Sequence, residues 1–172
     1  QRWWNGLRAG RCFVTNGPLL VVRANDKWPG HVFQSREPID ITLSAEILAQ
    51  DNIPYVEVIK NGAIDHTVPF NELKRSGSLG KLQFDESGWF VVRAVTDNPK
   101  TFRFASAAPF YVEVGKMARR ISRASAQFFL DWVRERIARI KHDDPKKLAE
   151  ILRYHHEAEQ FWFERVKRAN AD

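Results

Sequence analysis

Five histidines, one cysteine and six tryptophans are the residues of this chain with the widest chemical range. A histidine can serve as general base or metal ligand when partners stand at the right spacing. His31, His66, His142, His155 and His156 form no H-x-H or H-E-x-x-H arrangement. His155 and Glu159 are one helical turn apart and could face a common ligand. His155 also falls on an apolar stripe, where it reads as a packed histidine. His142 beside Asp143 and Asp144 reads as helix capping. A nucleophilic Cys12 would need a depressed pKa and a neighbouring base. Its neighbours supply none, and its apolar strand context predicts a buried structural thiol. A single cysteine also excludes an internal disulfide and a Cys-based zinc site. Gly77-Ser78-Leu79-Gly80-Lys81 lacks the G-K-[ST] ending of a phosphate loop and reads as a loop, and there is no G-x-S-x-G elbow. These residues predict no catalytic group, no metal ligand and no cofactor within the chain.

Aromatic side chains offer binding rather than catalysis. Trp28 and Trp89 could stack on a sugar, although a turn position and a core position explain them better. Phe161, Trp162 and Phe163 lie on helices with a net basic excess and could interleave with nucleic acid. No zinc-finger, RRM or helix-turn-helix signature accompanies them, so nucleic acid is not an expected partner.

The elements that must carry these residues follow from composition and period. At 172 residues with 44% hydrophobic content, the chain can bury a core. The net charge of +6 is unevenly placed. Residues 1–115 hold 13 Lys+Arg against 12 Asp+Glu, and residues 116–172 hold 14 against 9. The basic excess therefore sits in the C-terminal helices, where a solvated face is the plainest reading. No apolar run reaches the roughly 20 residues of a membrane span. Gln1-Arg2-Trp3-Trp4 has no signal-peptide pattern, so the compartment is not legible.

Trp3 to Ala9 predicts the last turns of a helix stopped by Gly10, as though the chain were cut from a larger protein. Two adjacent Trp on so short a helix call for something to cover them. From Cys12 to Val114 the period becomes two. Strands are expected at 12–15, 19–23, 39–45, 55–60, 64–68, 79–84, 89–95, 101–105 and 110–114. Asn61-Gly62 predicts a tight hairpin, because both residues accept positive φ. Short strands with frequent turns and no long helix predict a mainly β fold, an Ig-like antiparallel sandwich. After Gly115 the period is helical. Ser122 and Asp144-Pro145 are expected to open two helices, joined closely enough to form an antiparallel hairpin. The expected stripes are Phe129, Leu130, Val133, Ile137 and Ile140, then Leu148, Ile151, Leu152, His155, Trp162 and Val166. The division is a helical stub at 1–10, a sandwich at 11–115 and a hairpin at 116–172.

One run is more specific than these patterns. Gly6-Leu7-Arg8-Ala9-Gly10-Arg11-Cys12-Phe13-Val14-Thr15-Asn16-Gly17-Pro18-Leu19-Leu20 resembles the stretch that follows the catalytic domain in PHP-type metallohydrolases, in the carbaryl-hydrolase-like branch. Val56–Gly62, Ser87–Ala94 and Ala108–Val112 are similar to later parts of the same region. The resemblance implies an accessory C-terminal domain that supports domain packing, shapes the mouth of the active site or mediates oligomerisation. It implies a divalent metal in a catalytic domain outside this chain, with that domain as partner and a homo-oligomer as an open alternative. The family's His and Asp/Glu clusters have no counterpart here. The binding candidates are then Trp3 and Trp4 on the stub, Arg11 and Asn16 on the junction, and Trp28 in the turn. The competing expectation is a stand-alone carbohydrate- or ligand-binding sandwich.

Overall fold

A computed structural model describes residues 1–115 and 119–171. The start of the third expected division, at 116, and its last residue lie outside the described residues. The chain forms two compact units, residues 1–119 and 120–172.

The first unit opens with helix α1 (Arg2–Arg8) and continues through β1 (Phe13–Thr15), β2 (Leu19–Ala24), β3 (Val32–Ser35) and β4 (Ile39–Leu48). Then come β5 (Tyr55–Lys60), β6 (Ala63–Pro69), helix α2 (Phe70–Ser76), β7 (Ser78–Phe84), β8 (Gly88–Val95), β9 (Phe104–Ala107) and β10 (Phe110–Val114). One sheet runs β2-β4-β7. The other centres on β8, with β5 and then β6 on one side. On its other side β9 and β10 follow each other along β8, flanked by β1 and β3 respectively. This is an Ig-type sandwich, mainly β with helices. Every described strand pair is antiparallel except β3 with β10, which is parallel.

Alternation builds the core. Leu20, Val22 and Ala24 on β2 are buried, as are Ile41, Leu43 and Ala45 on β4. Phe90, Val92 and Ala94 on β8 are buried in the same way, all within one core cluster. Phe33, Phe110, Phe90 and Phe84 run through it in ring contact, at centroid separations of 6.4, 4.8 and 5.8 Å. Asn61 (φ 52°) and Gly62 (φ 94°) make the expected β5–β6 hairpin, and the Asn61 side chain accepts from the Trp89 amide at 3.0 Å.

The structure adds two elements and shifts two. Val32–Ser35, where no strand is expected, is a strand. The 101–105 strand lies at Phe104–Ala107, because the Asn16 side chain holds the Phe102 carbonyl and the Phe104 amide outside the ladder. Phe70–Ser76 is a short helix that buries Phe70 and Leu73. The strand expected at 79–84 is β7 and begins one residue earlier, at Ser78, taking in part of the run that reads as a loop, with a register shift against Leu43 and Ser44.

The second unit holds α3 (Arg123–Arg139) and α4 (Pro145–Lys167). Ser122 caps α3, accepting from the Ser125 amide at 3.1 Å, and Asp144 caps α4, accepting from the Lys146 amide at 2.8 Å. The pairs 122 with 171, 129 with 162 and 134 with 159 meet across the helices, so they are antiparallel. Ala126 and Leu130 are the buried residues of α3, whereas α4 buries none among its described residues.

Candidate functional site

The junction between α1 and β1 is built by backbone. The Gly10 amide donates to the Leu7 carbonyl at 3.0 Å and the Arg11 amide to the Gly6 carbonyl at 2.9 Å, a Schellman stop with Gly10 left-handed at φ 70°. The same backbone lies directly on the turn at Gly30, which donates its amide to the Pro109 carbonyl at 2.9 Å. A Cβ on Gly30 would stand 1.9 Å from the Ala9 oxygen, so only glycine allows the two segments to touch. β1 then leads into Asn16, whose amide clasps Phe102 and Phe104 at 2.8 Å on each side.

This arrangement sorts the candidate residues. Arg11 and Trp28 come together around a hollow of about 130 Å³, walled also by Cys12, Phe13, Val21 and Pro29. The Arg23 guanidinium covers one face of Trp28 at 3.2 Å, which leaves that face closed to a sugar. Cys12 is half-buried rather than buried, because β1 is a short strand at the sheet's edge. Asn16 does not line the hollow; both ends of its amide are spent holding the β8–β9 connection. Trp3 and Trp4 meet edge-to-face at 4.7 Å and remain 69% and 57% exposed. No residue of α1 is buried. Leu7, Phe13, Val14, Leu19 and Val21 are exposed as well, with Val14 at 65%. The sequence marked the tryptophans but not this apolar continuation along β1 and β2. Its one signal was the adjacency of Phe13 and Val14, which puts an apolar side chain on both faces of an edge strand.

A second, wider cleft of about 350 Å³ lies between the β1–β2 turn, the β4–β5 loop and the β8–β9 connection. Asp51 accepts from Arg103 and from Asn98 there, each at 2.9 Å. Thr96 lines it, and the buried Thr96 hydroxyl has no hydrogen-bond partner among the described residues.

The histidines act locally. His31 packs edge-to-face on Phe33 at 4.6 Å, and burial, then the Lys27 charge, holds its pKa below the ordinary value. His66 ties β6 to β7, with one ring nitrogen 2.8 Å from Asp65 and the other 2.8 Å from the Leu79 carbonyl. His142 accepts the Asp144 amide at 2.9 Å, in keeping with its capping role. His155 donates to the Ile151 carbonyl at 2.9 Å and does not meet Glu159. Glu159 instead accepts from Arg134 at 2.9 Å and stands 3.5 Å from His156; the Arg134 hydrogen bond is the main cause that depresses its pKa. The chemical reason is proximity, since α3 offers Glu159 a guanidinium across the hairpin. Among the described residues no three His, Cys, Asp or Glu gather in a way that could hold a metal ion. No described helix is long and apolar enough to cross a membrane.

No family model matches the chain, and no curated protein does. Three solved structures are similar in part. A fibronectin(III)-like module of CbhA from Clostridium thermocellum is 13% identical over 55% of this chain and 99% of its own, with a TM-score of 0.33. A β-glucuronidase from Bacteroides uniformis is 19% identical over 62% of this chain but only 13% of its own, with a TM-score of 0.34. A CARDB domain from Pyrococcus furiosus, solved in complex with di-metal ions, is 22% identical over 58% of this chain and 90% of its own, with a TM-score of 0.29. Scores this low carry no argument about activity, and the fold rests on the strand pairing above.

Proposed function

We propose that this chain is a non-catalytic accessory β-sandwich module that packs against a PHP-type metal-dependent hydrolase domain preceding it. The observation that carries the reading is the row of exposed apolar side chains on three successive elements. These are Trp3, Trp4 and Leu7 on α1, Phe13 and Val14 on β1, and Leu19 and Val21 on β2. Large apolar side chains left exposed on neighbouring elements are what a covered interface would need. Leu7, Phe13, Val14 and Leu19 of this row fall within residues 6–20, the run that resembles the PHP junction, and the Gly10–Gly30 contact fixes the direction of that run against the sandwich. The hollow beside Arg11 and Trp28 would receive a loop of the docked domain, and the metal and the chemistry would belong to that domain.

The test joins the chain to the segment encoded before it. Divalent metal content and metal-dependent hydrolysis of a chromogenic ester are measured with and without that segment. Metal and turnover are expected only in the longer protein. Stoichiometric metal or turnover in residues 1–172 alone would overturn the proposal, as would a preceding segment with no His/Asp/Glu metal cluster.

A further inference from the structure

We infer that the α3–α4 hairpin is half of a four-helix bundle completed by a second copy of this chain. A hairpin of two helices needs one apolar stripe per helix, and α4 carries two. Leu148, Ile151, Leu152, His155, Trp162 and Val166 form the first. Tyr154, Ala158 and Phe161 make a second, branching from Ile151 at the same three- and four-residue spacing. A face this wide is the pattern of a bundle helix, which has two neighbours. Burial agrees: α4 is 23 residues long and none of its described residues is buried.

The second stripe continues onto α3 through rings. Phe161 meets Trp162 edge-to-face at 5.2 Å, Trp162 stacks on Phe129 at 4.6 Å, and Phe129 reaches Trp132 at 6.3 Å and Phe128 at 5.4 Å. This ladder crosses both helices, yet Phe128, Trp132 and Phe161 are 63%, 59% and 50% exposed. A large aromatic side chain buries roughly 150–250 Å² when covered. With the half-buried rings and Tyr154, two such faces bring about 1,000 Å² together, the lower bound for a biological interface and the size of a weak, concentration-dependent one. A polyanionic partner fits less well, because residues 150–164 carry Glu150, Glu157, Glu159 and Glu164 against Arg153 alone. The basic excess lies toward the hairpin's ends, at Lys141, Lys146, Lys147, Arg165, Lys167 and Arg168. Association of two such copies is opposed by their like charge and so strengthens with salt, whereas binding to an anionic surface weakens with it.

Light-scattering mass of the full chain, measured across a wide concentration range at low and high salt, tests this. The expected result is a shift from one chain mass to two, at lower concentration in high salt. Trp132→Glu and Phe161→Glu should each raise the dissociation constant at least tenfold while helical circular dichroism is kept. The double variant Trp3→Ser/Trp4→Ser, in α1 of the first unit, should leave the dimer intact. A single-chain mass at every concentration overturns the inference. So does a dimer that survives Trp132→Glu and Phe161→Glu but is lost with the Trp3/Trp4 variant, a result that leaves the accessory reading standing.

Discussion

Replacing Gly30 with alanine separates two costs that the fold imposes on the junction. Gly30 sits at φ 84°, where a side chain costs about 1–2 kcal/mol. Its added Cβ would also stand 1.9 Å from the Ala9 oxygen, so the Ala9–Gly10 backbone must move off the turn. That movement sacrifices at least one hydrogen bond, the Gly30 amide to Pro109 or a cap of α1, worth about 1 kcal/mol. The total is about 2–3 kcal/mol. Gly77→Ala is the control, because Gly77 has φ 66° and nothing within 4 Å of its Cβ position, so only the conformational cost applies. Native-state amide exchange is the suitable assay, because a chain of two units need not unfold in one transition. In Gly30→Ala the amides of Gly10, Arg11 and residue 30 should exchange roughly 30- to 150-fold faster, at about 1.4 kcal/mol per tenfold. In Gly77→Ala those same amides should be unchanged. Equal behaviour of the two variants at Gly10 and Arg11 would refute the claim that backbone contact fixes the junction.

Other consequences are independent of that contact. Thr96 is 8% exposed and its hydroxyl lacks a partner, so Thr96→Val should raise stability by about 1–2 kcal/mol, read from slower exchange of the β8 amides; a loss of stability would show that the hydroxyl is bonded. Arg93→Met leaves buried Glu57 without the guanidinium now 2.6 Å away and should cost about 2 kcal/mol, discounted for Arg93's own exposure; no change in the urea midpoint of the sandwich would contradict this. His31 binds its proton less tightly folded than at its ordinary 6.5, so the unfolded chain takes up more protons as pH falls through 6.5 and the sandwich loses stability there. His31→Gln should flatten that slope in pH-dependent unfolding. The pKa of Glu159 is also lowered, but here the charged form is favoured: its contribution is present above 4.5 and is lost as pH falls below, and Arg134→Gln should weaken this acid dependence of the hairpin's helical signal, His156 keeping a smaller share.

The sandwich was legible because its strands bury one face. The clean alternation of Ile39 to Ala45 and the apolar run of Trp89 to Val95 both announced themselves. β3 did not, because Val32–Ser35 is held by a parallel ladder to β10, and nothing within four residues encodes a partner nearly eighty positions away. α2 was too short for a helical period, with Phe70 and Leu73 as its two anchors. At the site, the glycine stop at Gly10 was readable, since a left-handed C′ residue is a local requirement. Its partner Gly30 was not, because a contact between backbones leaves no pattern in side chains. The candidates Arg11 and Trp28 proved to share a hollow, whereas Asn16 turned out to be a clasp. The same limit hid Arg134 as the partner of Glu159, which a single helix reads as the neighbour of His155.

The most direct test of the docking face is amide hydrogen exchange of residues 2–22, compared between this chain alone and the chain joined to the segment encoded before it. Slower exchange is expected across α1 and β1 and at Val21 in the longer protein, with the β4 and β8 core unchanged. Identical exchange in the two proteins would mean that nothing covers Trp3, Trp4, Phe13 and Val14, and the accessory reading would fall.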